Sequence, residues 1–186
     1  ISIISIALAM VIGIVIGFVI SEFKKSTKVV LGIVNSVYTI PSISLLGFLI
    51  PITGIGNKTA IIALTIYALL PMVRNTHAGL TNINPLLVEA AIGMGSTKMQ
   101  VLLKIKLPLA MPIIIAGVRN MAVMTIALAG IASFIGAGGL GVAIYRGITT
   151  NNKAMTIIGS LLIATLAIMI DLLIGLFENK IKKHRV

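Results

Sequence analysis

Residues 1–20 read ISIISIALAMVIGIVIGFVI, twenty positions without a charge. Twenty residues of α-helix rise about 30 Å, the thickness of a bilayer's hydrocarbon core. The run is too long and too uniform for the core of a signal peptide, and no small-residue cleavage site follows it. It predicts a membrane-spanning helix. The chain opens at Ile1 inside this apolar stretch, so further sequence is expected to precede it.

Four more segments approach the same length: residues 29–51, interrupted by Pro41; residues 59–73, short, with Pro71 near the end; residues 112–135; and residues 155–177, with Asp171 inside. No alternating pattern is long enough to propose a barrel. Backbone groups in hydrocarbon must then be satisfied within helices. The expectation is one all-α, multi-pass transmembrane domain over residues 1–186, with about five membrane helices. Composition agrees. Of 186 residues 58% are hydrophobic and 10% charged, against roughly 25% charge in a soluble domain. The absence of Cys removes disulfides and thiolate sites. Two His and four acids (Glu22, Glu89, Asp171, Glu178) are too few for most metal or acid–base centres.

The net charge of +11 is distributed unevenly. Five crossings place Lys24, Lys25, Lys28, Arg74, Lys98, Lys104, Lys106, Arg119, Lys180, Lys182, Lys183 and Arg185 on one side. Lys58, Arg146 and Lys153 fall on the other. The richer side is expected to be cytoplasmic, and the C-terminus with it. This pattern reads as membrane orientation, not nucleic-acid binding, and the tail at 180–185 reads as a contact with anionic lipid.

The longest connection, residues 74–111, lies on the cytoplasmic side, between the third and fourth segments. Asn84-Pro85 reads as an N-cap followed by Pro at the first helical position. Leu86, Leu87, Ala90, Ala91 and Met94 follow at helical spacing. Residues 97–100 fit a capping box for a second helix, expected to stop before Pro108. Two short helices broken at Gly95 suit either a docking site for a soluble partner or a pair lying on lipid headgroups.

Within this connection, Glu89-Ala90-Ala91, then Gly95, then Ile105, Leu107 and Pro108 match every fixed position of E-A-A-x3-G-x9-I-x-L-P. The stretch resembles the EAA loop of ABC-importer permeases. That resemblance implies a coupling helix seated in a groove of a cytoplasmic ATPase. Glu89 would make the polar contact, Ala90 and Ala91 would permit close approach, and Gly95 would form the bend. Residues 40–42, 68–71, 74–76 and 136–141 extend the likeness to the permeases of glycine betaine, carnitine and choline importers. The methionine-importer permeases share the EAA loop and the glycine-rich run. The resemblance further implies a paired permease (a second copy or a paralogue) and an extracytoplasmic binding protein, separate or fused. ATP and Mg would be used by the ATPase; no cofactor, metal or catalytic residue is expected on this chain.

The remaining motifs have plainer readings. Residues 136–141 match G-x-G-x-x-G, but follow a membrane helix instead of a strand, against a dinucleotide site. A tight turn is expected, with Gly138 and Gly139 as candidate gate residues. Gly13 and Gly17 form G-x-x-x-G, a helix-packing signal. Asp171 is the one acid well inside a membrane segment, and such groups face the bundle interior. A buried pair with Arg119 is expected; contact with a cationic substrate is the alternative. Tyr38, Tyr67 and Phe134 are candidates for lining a pathway, with ordinary packing as the alternative. His77 reads as a loop residue without chemistry. A self-sufficient channel or secondary carrier is the competing class. Such carriers often carry internal hydropathy repeats, and none is visible. Substrate choice among betaine, carnitine, choline, ergothioneine and methionine-type amino acids stays open.

Overall fold

A computed structural model describes residues 1–183; His184 and Arg185 of the basic tail lie outside the described residues. The described chain is helical, with no strand. Its helices are α1 (Ser2–Glu22), α2 (Lys24–Tyr38), α3 (Ser42–Thr53), α4 (Asn57–Thr81), α5 (Pro85–Gly93), α6 (Lys98–Val101), α7 (Leu107–Ile131), α8 (Gly141–Thr149) and α9 (Lys153–Lys183). Four helical spans are long and apolar enough to cross a membrane, or five if the bent pair α2–α3 counts as one span. The expected all-α, multi-pass fold is thus observed.

The bundle is built outward from α4, which packs on α1 and α7, with α7 in turn against α9 and α9 against α8. In lipid no hydrophobic force drives helices together, so close backbone approach through small residues must supply the attraction. The sequence places those residues at the crossings. A Cβ on Gly13 would lie 2.6 Å from Met72 Cγ, and one on Gly17 2.6 Å from Thr76 Cβ. Gly117 likewise admits Asn75 of α4 against α7. The G-x-x-x-G of the first helix is therefore a packing seam between α1 and α4. Ser5 Oγ reinforces it, donating to the Ile61 carbonyl at 3.2 Å.

Three boundaries depart from the sequence reading. The third segment does not end at Val73; α4 continues through Pro71 to Thr81 and carries Arg74 and His77 inside the helix. Asn75 Nδ2 donates to the Pro71 carbonyl at 2.7 Å; the proline itself removes the N–H that would have bonded the Tyr67 carbonyl. The second segment is not one straight helix but two, α2 and α3, bent by 94°. Pro41, which cannot continue a helix and biases Ile40 toward extended backbone, sits at the break. Finally, the helix starting at Lys98 does not stop before Pro108. It passes through a π-helical turn, Leu102–Lys106, directly into α7. In an α-helix the Pro108 ring would collide with the Lys104 carbonyl. The wider turn relieves this, with the Leu107 N–H reaching back to the Leu102 carbonyl. Helical structure therefore runs unbroken from Lys98 to Ile135, ending in the 3₁₀ turn Ala132–Ile135.

Candidate functional site

The connection between α4 and α7 forms an arm whose caps follow from its sequence. Asn84 Oδ1 accepts from the Leu86 N–H at 3.0 Å, and Pro85 opens α5. At the other end Gly95 takes φ +85°, the left-handed region that glycine occupies without strain. The Ser96 N–H reaches the Ala91 carbonyl at 3.0 Å and the Gly95 N–H the Ile92 carbonyl at 2.9 Å. These two bonds are the Schellman closure, which needs its glycine at this position. Thr97 and Gln100 then form the expected capping box: the Gln100 N–H donates to Thr97 Oγ1 at 3.3 Å and the Thr97 N–H to Gln100 Oε1 at 2.8 Å.

On α5 only Ala91 is buried; Glu89 and Ala90 are exposed. Leu86, Leu87, Ile92 and Met94 are also exposed, Met94 to 82%. A nine-residue helix that shows this much apolar surface is presented outward, not folded onto the bundle. Ile105, Leu107 and Pro108 are half-buried at the base of the arm, and Leu107 packs into the core between α1, α4 and α7. Lys106 Nζ anchors that base to α1 by donating to Glu22 Oε1 at 2.8 Å.

Deeper in the bundle, α7 and α9 run antiparallel and bring Arg119 to Asp171. Arg119 Nε donates to Asp171 Oδ1 at 2.5 Å and Nη2 to Oδ2 at 2.6 Å, a two-pronged fit of guanidinium on carboxylate. The pair is half-buried in the single chain, with both side chains 35% exposed, instead of fully buried as expected. Sequence reasoning missed its third member. Glu178 Oε2 lies 3.4 Å from Arg119 Nη1. Asp171, Gly175 and Glu178 recur at the four- and three-residue spacing of one helix face. A Cβ on Gly175 would stand 3.2 Å from Arg119 Cζ, so the glycine gives the guanidinium room. That spacing was the available signal.

At the end opposite the arm, residues 136–141 form a turn with Gly136 at φ +75° and Gly139 at φ +115°. The Gly138 N–H donates to Asn57 Oδ1 at 2.8 Å, tying the turn to the start of α4. A Cβ on Gly141 would overlap the Gly130 backbone. Tyr38 and Tyr67 meet edge-to-face with centroids 5.9 Å apart, beside the α2–α3 break. Tyr67 is buried and its hydroxyl donates to the Ile40 carbonyl, so it braces the break. Tyr38 is exposed. Phe134 is exposed and pairs with Tyr145, centroids 5.2 Å apart, a partner the sequence reading did not single out.

A membrane bundle with an outward-presented, Schellman-closed arm between two spans defines a transporter permease subunit. The sequence profile of the family described as "Binding-protein-dependent transport system inner membrane component" matches residues 9–183, and the chain belongs to that family, the membrane component of ABC importers. It is 38% identical to the choline transport system permease protein OpuBB of Bacillus subtilis (strain 168), over 97% of this chain and 83% of that one. It is 40% identical to the carnitine transport permease protein OpuCD of Listeria monocytogenes, over 95% and 81%. An ergothioneine transport permease/ergothioneine binding protein, EgtU of Helicobacter pylori (strain G27), is 39% identical over 93% of this chain, which covers 31% of that longer protein. Among solved structures, an inward-facing form of the MetNI methionine ABC transporter superposes with a TM-score of 0.88 at 27% identity, covering 97% of this chain and 90% of that one.

Proposed function

We propose that this permease translocates a small quaternary-ammonium osmoprotectant of the glycine betaine, carnitine and choline type by alternating access. The observation that carries the coupling half of the reading is the arm: an exposed α5, bearing Glu89, joined across the Gly95 turn to α6, which runs through the π turn into a membrane span without a break. A partner ATPase that grips α5 differently when ATP is bound can tilt that span. Differential contact of this kind is what allows a ligand to shift a conformational equilibrium. The ATPase hydrolyses ATP with the help of Mg, and this chain performs no chemistry. Glu89 supplies the polar contact, Ala90 and Ala91 the close approach, Gly95 the bend, and Ile105, Leu107 and Pro108 the root of the lever. The arm and the C-terminus lie in the cytoplasm.

The substrate half rests on the names of the relatives at 38–40% identity. A second permease chain completes the path, fed by an extracytoplasmic binding protein, separate or fused. Tyr38 and Phe134 line the path, and Gly138 and Gly139 form part of its outer gate. The EgtU relative supports an ergothioneine carrier as a second reading, and the MetNI likeness supports a methionine-type amino-acid carrier. The test is Glu89→Arg in proteoliposomes containing the whole transporter. ATP-driven uptake should fall at least tenfold while the complex still assembles. Unchanged uptake, or uptake by the permease without its ATPase, refutes the coupling scheme. Competition by choline, glycine betaine, ergothioneine and methionine then decides the substrate.

A further inference from the structure

The break between α2 and α3 lies at membrane depth. Tyr67, whose hydroxyl donates to the Ile40 carbonyl, stands ten residues from the start of α4 and fourteen from its end, about 15 and 21 Å along the helix. Irregular backbone at that depth is tolerated only where protein buries it or water reaches it. Among the described residues nothing covers it: Tyr38, Thr39, Pro41 and Ile43 are all exposed.

The break also leaves two carbonyls unused. The Thr39 N–H turns back to the Asn35 and Ser36 carbonyls, and the Ile40 N–H to Val37. Pro41 has no N–H to continue the series. The first N–H of α3 to reach a backbone acceptor is that of Leu45, on the Pro41 carbonyl. The Tyr38 and Thr39 carbonyls therefore accept no hydrogen bond among the described residues. They stand at the C-terminal end of α2, the negative end of its dipole. Beside them the Tyr38 ring is held twice, edge-to-face against Tyr67 with centroids 5.9 Å apart and by its hydroxyl on Met124 Sδ at 3.4 Å.

The acids of the chain lie elsewhere. Asp171 and Glu178 meet Arg119 between α7 and α9, Glu22 meets Lys106 at the end of α1, and Glu89 is on the exposed α5. An aromatic ring and carbonyl dipoles without a carboxylate suit few cations. Calcium needs about six to eight oxygen ligands, and a primary ammonium must place each of its N–H donors. A quaternary ammonium has no donor to place, and an aromatic face attracts it directly.

We propose that the α2–α3 break is where this chain holds the quaternary ammonium of its substrate, on the Tyr38 ring and the carbonyl oxygens of Tyr38 and Thr39. The assignment rests on the osmoprotectant reading above and adds to it the atoms that meet the charge.

The test takes the permease–ATPase complex in nanodiscs, without its binding protein, and a trimethylammonium probe carrying an alkyl diazirine, read by peptide mass spectrometry of the permease. Labelling should concentrate in residues 36–44 and on Met124. Tetramethylammonium should displace it; the uncharged isostere of choline, with a tert-butyl group in place of the trimethylammonium, should not. Tyr38→Leu should lower labelling about fivefold, the ratio that one cation–π contact confers. Tyr38→Phe, which keeps the ring and loses only the hydroxyl, and Tyr38→Trp should both stay within about twofold. A residue needed only for packing would not sort its variants by ring. Uptake of choline and glycine betaine by the whole transporter is measured in parallel. Uptake together with labelling elsewhere, equal displacement by the uncharged isostere, or indifference to Tyr38→Leu overturns the site and leaves the substrate reading standing. So does a break that takes no label because a second copy of the chain covers it. Failure to take up any quaternary ammonium overturns both.

Discussion

Two glycines of the arm, Gly93 and Gly95, should respond to alanine in opposite directions. Neither has any atom within 4 Å of the position a Cβ would take, so neither substitution clashes. What differs is the backbone. Gly93 ends α5, and alanine in a helix gains up to about 1 kcal/mol over glycine. Gly95 sits at φ +85°, where an L-residue costs roughly 1–2 kcal/mol. Loss of the glycine's freedom in the unfolded chain returns about 0.4–1 kcal/mol of that. The net is a penalty of about 1 kcal/mol for Gly95→Ala and a gain of about 0.5–1 kcal/mol for Gly93→Ala. The two variants are thus separated by about 1.5–2 kcal/mol, more than tenfold in the opening equilibrium of the arm. Hydrogen exchange at the Ser96 amide, which closes the Schellman motif on Ala91, reports that equilibrium directly. Exchange should speed about fivefold in Gly95→Ala and slow in Gly93→Ala, and ATP-driven uptake should decline in the former alone. If both variants shift Ser96 the same way, or if Gly95→Ala leaves it unchanged, glycine at this bend is not a conformational requirement and the reasoning fails.

Other outcomes follow from the packing. Gly17→Val places a Cβ 2.6 Å from Thr76 Cβ and 3.0 Å from the Val73 carbonyl oxygen, and should destabilise by about 1–3 kcal/mol. Gly32→Ala, which meets nothing within 4 Å, should not lower the thermal unfolding midpoint. Arg119→Met leaves Asp171 without its guanidinium partner and should deplete folded protein in the membrane; the swap Arg119→Asp with Asp171→Arg should restore part of it if the pair itself is what matters. Arg119→Lys should restore little, since an ammonium cannot match the fork on Asp171. Tyr67→Phe removes the hydrogen bond to the Ile40 carbonyl and should cost about 1 kcal/mol, read as faster exchange in residues 39–41, with the Tyr38 contact retained.

The fold class was legible because a bilayer imposes one length and one periodicity on every span, and α1 and α9 meet both without interruption. The arm was legible for a different reason: its caps are local, and Asn84, Gly95 and the Thr97–Gln100 box carry their geometry in three or four residues. Where the reading failed, the deciding partner lay elsewhere in the chain. Pro71 and the polar run from Arg74 to His77 look like the end of a span. α4 continues because α1 and α7 cover that stretch. Pro108 looks like a stop, but the π turn accommodates it. For the ion cluster, Asp171 and Arg119 stood out as isolated charges in apolar sequence. Glu178 lies where α9 leaves its apolar run, and only the antiparallel crossing with α7 brings it to Arg119. Aromatics that pack and aromatics that line a path look alike in sequence; the hydrogen bond from the Tyr67 hydroxyl to the Ile40 carbonyl, between residues far apart in the chain, emerges only from the fold.

The uninterrupted helical path from Lys98 to Ile135 has a mechanical corollary. Thirty-eight residues make a beam on the order of 57 Å long. To the extent that it moves as one body, rotation at the root reaches the far tip, beside Phe134 and Gly136. A tilt of about 5° there amounts to a stroke of roughly 5 Å, on the scale of one helical turn. The proline that reads as a cut in the shaft is thus built into it, and under the proposed coupling scheme opening at one face of the membrane is geared to torque applied at the other.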